Sequence, residues 1–315
     1  MASGAPATLA ALALLAAGCG SGAEQAPPTT VPKTPSNTVL QGKTGPKLIL
    51  SRVGSLPRTV SKAAAVALPG GGLMVLGGYT GTGSLDTILA GPPGRLRVVG
   101  RLPQPTHDAA AASLGGSVYL FGGGQSVSVP SVVRIDPDTG KAAGAPALDE
   151  PLSDLGSVTI GGRAYLVGGY TGTRFASAVL RYFPHGGTTT VARLPHGTRY
   201  AGVAALGRTI YVAGGLTTSG ASRGVYAVTP GGGARRVASL PAPEDHAALA
   251  ALGGRLYLVG GRRVLAIDPA SGNVVVAARL PVPLSDPTAT TLGRRIVVTG
   301  GGTNGVWALS SAGGG

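Results

Sequence analysis

A chain of 315 residues with one cysteine, Cys19, cannot rest on an internal disulfide framework and offers no cysteine ligand set for a metal. Charge is also scarce. Asp, Glu, Lys and Arg make up 12% of the residues against 43% hydrophobic, which excludes a long disordered polyelectrolyte. Aromatics are 4%, with a single Trp, too few for a nucleic-acid stacking platform. The net charge of +14 does not restore that reading, because Lys and Arg are scattered in singles and pairs such as Arg235-Arg236. No nucleic-acid partner is expected. HExxH and phosphate-loop signatures are missing too, and no cofactor or metal is expected. What the chain has in excess is 55 Gly and 25 Pro, which rules out a bundle of long helices.

The longest apolar run near the amino terminus, Leu9 to Ala17, is too short to span a bilayer. It ends in Gly18-Cys19. The stretch from Leu14 to Cys19 resembles a bacterial lipoprotein signal, in which small residues admit the signal peptidase and the cysteine becomes the acylated first residue. An ordinary secretory signal with an incidental cysteine is the alternative, and residues 1–8 lack the Lys or Arg that normally heads such signals. Residues 19–46 are rich in Pro, Thr, Ser and Gly without apolar periodicity, and read as a tether. The expected order is a signal over 1–18, a lipid-anchored tether over 19–46 and a folded, monomeric body over 47–315. That order implies export to the cell envelope and a membrane held through Cys19.

The body repeats. Glycine doublets after a short apolar run begin at Gly77, Gly122, Gly168, Gly214, Gly260 and Gly300, in steps of 45, 46, 46, 46 and 40. A second marker keeps the same beat. Leu56, Leu102, Leu148, Leu194, Leu240 and Leu280 are spaced 46, 46, 46, 46 and 40. Each unit reads as four short strands, for example Asp108–Leu114, Ser117–Phe121, Ser131–Ile135 and Lys141–Leu148, with turns at Gly115-Gly116 and Asp136 to Gly140. The second strand is continuously apolar, as expected when it is covered on both faces. The first is rich in alanine, as expected of the strand nearest a crowded axis. These features predict an all-β, six-bladed β-propeller. The strand Leu48–Val53 should join the carboxy-terminal blade and close the ring.

A glycine doublet after an apolar strand at this period resembles the kelch repeat, over about residues 47–315. Tyr182, Tyr226 and Trp307 stand where that family carries third-strand aromatics, but its fourth-strand Trp is missing.

The strand order puts the head of each first strand at the mouth of an axial channel. Those positions are Ser61-Lys62, His107-Asp108, Ser153-Asp154, Arg199-Tyr200, Asp245-His246 and Ser285-Asp286. With the loops before them, seven of twelve carboxylates (Asp108, Asp149, Glu150, Asp154, Glu244, Asp245, Asp286) are expected on this face, making the mouth acidic. The loops between second and third strands add Tyr79 and Tyr170. The shortened unit loses its length in that loop, so the rim should be notched beside Arg262-Arg263. His107 beside Asp108 could act as an oriented base, but adjacent strand residues point to opposite sides, so their adjacency is poor evidence of a dyad. The turns between first and second strands carry Arg163, Arg208, Arg255, Arg294 and Arg295, which predicts a basic underside.

The leading reading is an envelope-anchored binding module, without catalysis, that takes a polar small molecule, glycan or protein at the mouth. Lys62, Tyr79, His107, Asp108, Asp154, Tyr170, Arg199, Tyr200, Asp245, His246 and Asp286 are its candidate ligand contacts. The alternative is an enzyme resembling six-bladed kelch-type sugar mutarotases, with His107, Asp154, Arg199, Asp245 or His246 as acid–base groups. A structural spacer would have no site.

Overall fold

The computed structural model describes residues 45–311. The proposed signal and Cys19 lie outside them, as does the tether up to residue 44. Six antiparallel four-stranded blades form a β-propeller, and the only helical element among the described residues is the 3-10 turn Pro69–Gly71. Blade 1 contains Ala64–Ala67, Leu73–Leu76, Leu85–Gly91 and Arg97–Thr106; blade 2 contains Ala110–Leu114, Ser117–Phe121, Val132–Ile135 and Ala142–Ala145. Blade 3 (Gly156–Ile160, Arg163–Val167, Ala178–Tyr182, Thr188–Arg193) and blade 4 (Gly202–Leu206, Thr209–Ala213, Gly224–Val228, Ala234–Ser239) repeat the pattern. In blade 5, Arg255–Ile267 runs the second and third strands together between Ala248–Leu252 and Val274–Leu284. The 40-residue unit has lost its loop at the place expected.

Blade 6 is built from both ends of the described chain. Pro287–Leu292, Arg295–Gly300 and Thr303–Ser311 are completed by Leu48–Val60, whose register runs from Leu48 opposite Ser311 to Val60 opposite Thr303. The closing strand is therefore longer than the expected Leu48–Val53. Each first strand lies against the first strands of both neighbouring blades, including blade 6 against blade 1.

The continuous apolar second strands now have a reason. Six apolar clusters each straddle two neighbouring blades, and one strand feeds two of them. Val118 and Leu120 face the cluster shared with blade 1, while Tyr119 and Phe121 face the one shared with blade 3. The marker leucines, 0–6% exposed, cap these clusters from within or just after the fourth strands. Hydroxyls stitch the inner strands together around the axis. Ser157 Oγ donates to the Ala111 carbonyl (2.7 Å), Thr159 Oγ1 to Ser113 (2.9 Å) and Thr291 Oγ1 to Ala251 (2.6 Å).

The glycine doublet is a docking device for the neighbouring blade. Gly122 has φ +60, and a β-carbon on it would lie 2.0 Å from the Leu152 carbonyl oxygen, while the Gly123 amide donates to that same oxygen at 2.8 Å. Gly168-Gly169 and Gly214-Gly215 repeat this against Thr198 and Glu244. Only glycine permits both the left-handed backbone and the approach.

Candidate functional site

All six non-glycine residues with positive φ among the described residues sit at equivalent places, one per blade. They are Lys62, Asp108, Asp154, Tyr200, His246 and Asp286, with φ between 53 and 56. In four blades the residue before it still behaves as a strand: Ser61 bridges Tyr79, His107 bridges Gly124, Ser153 bridges Tyr170 and Arg199 bridges Leu216. The next residue turns left-handed and gives its amide to the preceding blade. Asp108 N donates to Lys62 O (3.0 Å), Asp154 N to Asp108 O (2.8 Å), Tyr200 N to Asp154 O (3.0 Å), Asp286 N to His246 O (2.9 Å) and Lys62 N to Asp286 O (3.1 Å). A backbone collar of these five links results, with six polar side chains lining the axial opening. Holding Lys, Tyr or His in this region costs on the order of 1 kcal/mol each, where glycine would be free of strain.

The side chains are cross-linked from blade to blade. Lys62 Nζ meets Asp108 Oδ2 at 3.0 Å, Arg199 Nη2 meets Asp154 Oδ2 at 2.8 Å, and His246 Nδ1 meets Asp286 Oδ1 at 2.6 Å. Asp154 is the most buried, its side chain 2% exposed, and Ser153 Oγ also donates to it. The Arg199 guanidinium lies over the rings of Tyr200 (4.3 Å), Tyr170 (4.7 Å) and Phe175 (5.6 Å), while its Nε is buried without a partner. Tyr200 in turn packs on His246, ring centroids 3.9 Å apart.

Beside the axis, between the loops of blades 2 to 4, opens a cavity of about 410 Å³. Asp108, Asp154, Arg199, Tyr200 and Tyr170 border it, with Gln125, Ser126 and Ser128 on its outer wall.

Burial pushes Asp154 up to about 6, helped by the neighbouring Asp108 carboxylate and only partly opposed by Arg199. Burial also raises Asp108, against the pull of Lys62. His107 is lowered by burial and by Lys62, so it is neutral near pH 7. His246 is raised by its hydrogen bond to Asp286. Each of these three raised groups makes stability fall with rising pH. The Asp154 contribution is complete below its unfolded value near 4 and lost as pH passes 6; that of His246 is complete below 6.5 and lost above it. Melting temperatures from pH 4 to 8 should show Asp154→Asn flattening the lower part of this decline and His246→Gln the upper part. Parallel curves for wild type and both variants would overturn the assignment.

The structure redraws parts of the sequence reading. The mouth is not a bare acidic surface. Besides the three pairs above, Arg263 meets Glu244 at 2.7 Å and Arg174 meets Glu150 at 2.6 Å. Asp149 leaves this face and bonds Thr188, at the start of the outer strand of blade 3. His107 and Asp108 do approach, Nε2 to Oδ2 at 3.5 Å, because the left-handed Asp108 breaks the strand alternation that should have separated them. His107 Nδ1 pairs with Ser84 Oγ at 2.8 Å, and its ring packs on Tyr79 (5.1 Å). Tyr79 and Asp245 border neither the axial opening nor the 410 Å³ cavity, unlike the other nine candidates, which line one or both. Phe175, Ser84 and Ser128 were not foreseen; the spacing of Phe175 after Tyr170 was the one available signal. The stretch Gly220 to Gly224 spells GxSxG, yet it sits in strand and hairpin, not at a strand-to-helix turn, so Ser222 is no nucleophile elbow.

No family model and no curated protein matches the chain. Among solved structures it is similar to one described as "Structure of YjhT", with TM-score 0.70 and 14% identity, over 83% of this chain and 96% of that one. At this identity the likeness concerns the fold.

Proposed function

We propose that this propeller is an envelope-anchored binding module of the divergent kelch type, held through an acylated Cys19, which takes a polar, hydroxyl-bearing ligand at its mouth. One observation carries the reading. Six blades each hold a functional side chain in a conformation that glycine would adopt without strain, and these side chains converge on an opening beside the 410 Å³ cavity. The aromatic rings around Arg199 supply flat apolar surface, while Asp108, Asp154, Gln125 and Ser128 supply donors and acceptors.

A second reading rests on Asp154. A carboxyl group pushed up to about 6, beside neutral His107, suits proton exchange with a sugar hydroxyl near neutral pH. This mutarotase-like activity would use the same cavity.

A thermal-shift screen of the full chain against sugars, wall fragments and peptides tests both readings. A ligand should raise the melting temperature of wild type and of Asp245→Ala, and fail to raise that of Arg199→Gln. Hits that persist in Arg199→Gln would remove the mouth from consideration. Faster equilibration of anomers, followed by NMR with any sugar that binds, would favour the enzyme. In cells, a labelled fatty acid should mark the wild type and not Cys19→Ser; equal labelling would discard the anchor.

A further inference from the structure

We propose that the face opposite the mouth docks on an anionic lipid bilayer. Each first strand runs away from the mouth, so the turns that follow it all lie on this underside, and they present Arg163, Arg208, Arg255, Arg294 and Arg295. Arg255 pairs with Asp268 at 3.4 Å, whereas Arg163, Arg208, Arg294 and Arg295 are exposed and have no carboxylate at ion-pair distance among the described residues. Carboxylates do occur in the turns between third and fourth strands. Asp136 and Asp268 fold back on their own turns, accepting amides from Asp138 and Thr139 and from Ala270, which leaves the Asp138 side chain as the one exposed carboxylate without a hydrogen-bond or ion-pair partner in these turns among the described residues. Four unopposed guanidiniums spread over three blades remain, whereas Lys62, Arg174, Arg199 and Arg263 at the mouth all reach carboxylates.

The layout of the cations selects a bilayer as the occupant. Leu48 pairs with Ser311 at the underside end of blade 6, so exposed Lys47 adds a further cation on this face. The basic turns follow the innermost strands of blades 3 to 6 and so curve around the axis, not along a straight groove that would track a single polyanion chain. A planar anionic surface meets all of them at once. This inference depends neither on the mouth being a ligand site nor on acylation, and it leaves the mouth pointing away from the lipid.

The test uses the full chain carrying Cys19→Ser, so that no acyl group contributes. The readout is its partition into vesicles with about one-third phosphatidylglycerol, relative to pure phosphatidylcholine vesicles, by co-sedimentation. The anionic preference should be strong at low salt and collapse at high salt. Replacing Arg163, Arg208, Arg294 and Arg295 by Gln should reduce it at least about tenfold, because each basic residue near such a surface is worth roughly fivefold. An unchanged melting temperature in the quadruple variant shows that folding is intact. A preference that survives the four replacements overturns the proposal. So does binding of soluble polyphosphate that depends on the four arginines without any vesicle preference, which would make the partner a soluble polyanion. Ligand shifts at the mouth should be the same in the quadruple variant and the wild type.

Discussion

Gly122→Ala is expected to lower folding stability by about 3 kcal/mol or more. Two costs combine. A β-carbon at φ +60 costs on the order of 1 kcal/mol, and overpacking adds roughly 1–3 kcal/mol. Relaxation is blocked because the obstacle is the Leu152 carbonyl, 2.0 Å from the new carbon, which is itself held by the Gly123 amide. Gly261→Ala is the internal control. Its φ is +52, but nothing lies within 4 Å of the added carbon, so only the conformational cost of about 1 kcal/mol should appear. Urea denaturation of both variants decides the matter. Equal losses would mean that the doublet is not a blade-docking device.

Asp154→Ala should cost about 3 kcal/mol and abolish any ligand response. The side chain is 2% exposed and is the carboxylate partner of Arg199, so its removal leaves a guanidinium short of a partner that already has an unpartnered Nε. Breaking buried pairs of this kind costs roughly 3–5 kcal/mol. The lower end applies because Arg199 is 21% exposed. Alanine also tolerates the left-handed backbone less well than Asp, so Asp154→Asn should lose less. The double variant with Arg199→Ala should be more stable than the sum of the single losses, by on the order of 1–3 kcal/mol. Strict additivity in the cycle would mean that the pair does not act as a unit.

The propeller was legible in the sequence because its signals are repeated. The doublets, the marker leucines and the alanine-rich strands report a close backbone approach, a cluster cap and a crowded axis, and each recurs around the ring. The opening itself was legible to the nearest pair of residues. Which member of each pair faces the channel was not, because strand alternation fails where the second member turns left-handed. Asp and His tolerate that turn better than most residues, but Lys62 and Tyr200 give no sign of it. The charge balance was misread for a related reason: partners such as Arg199 and Asp154 are 45 residues apart, and Arg174 reaches Glu150 from a different blade. Composition counts charges and is blind to such meetings.

The sheet that joins Leu48 to Ser311 also governs the order of assembly during synthesis. Leu48–Val60 leaves the ribosome before the five blades that follow it, yet its partner Thr303–Ser311 comes after them, so these blades must wait with an open seam until Thr303–Ser311 has been made. During that interval the nascent chain exposes an unpaired strand and the uncovered apolar flank of blade 1, which is where a holding chaperone would be needed.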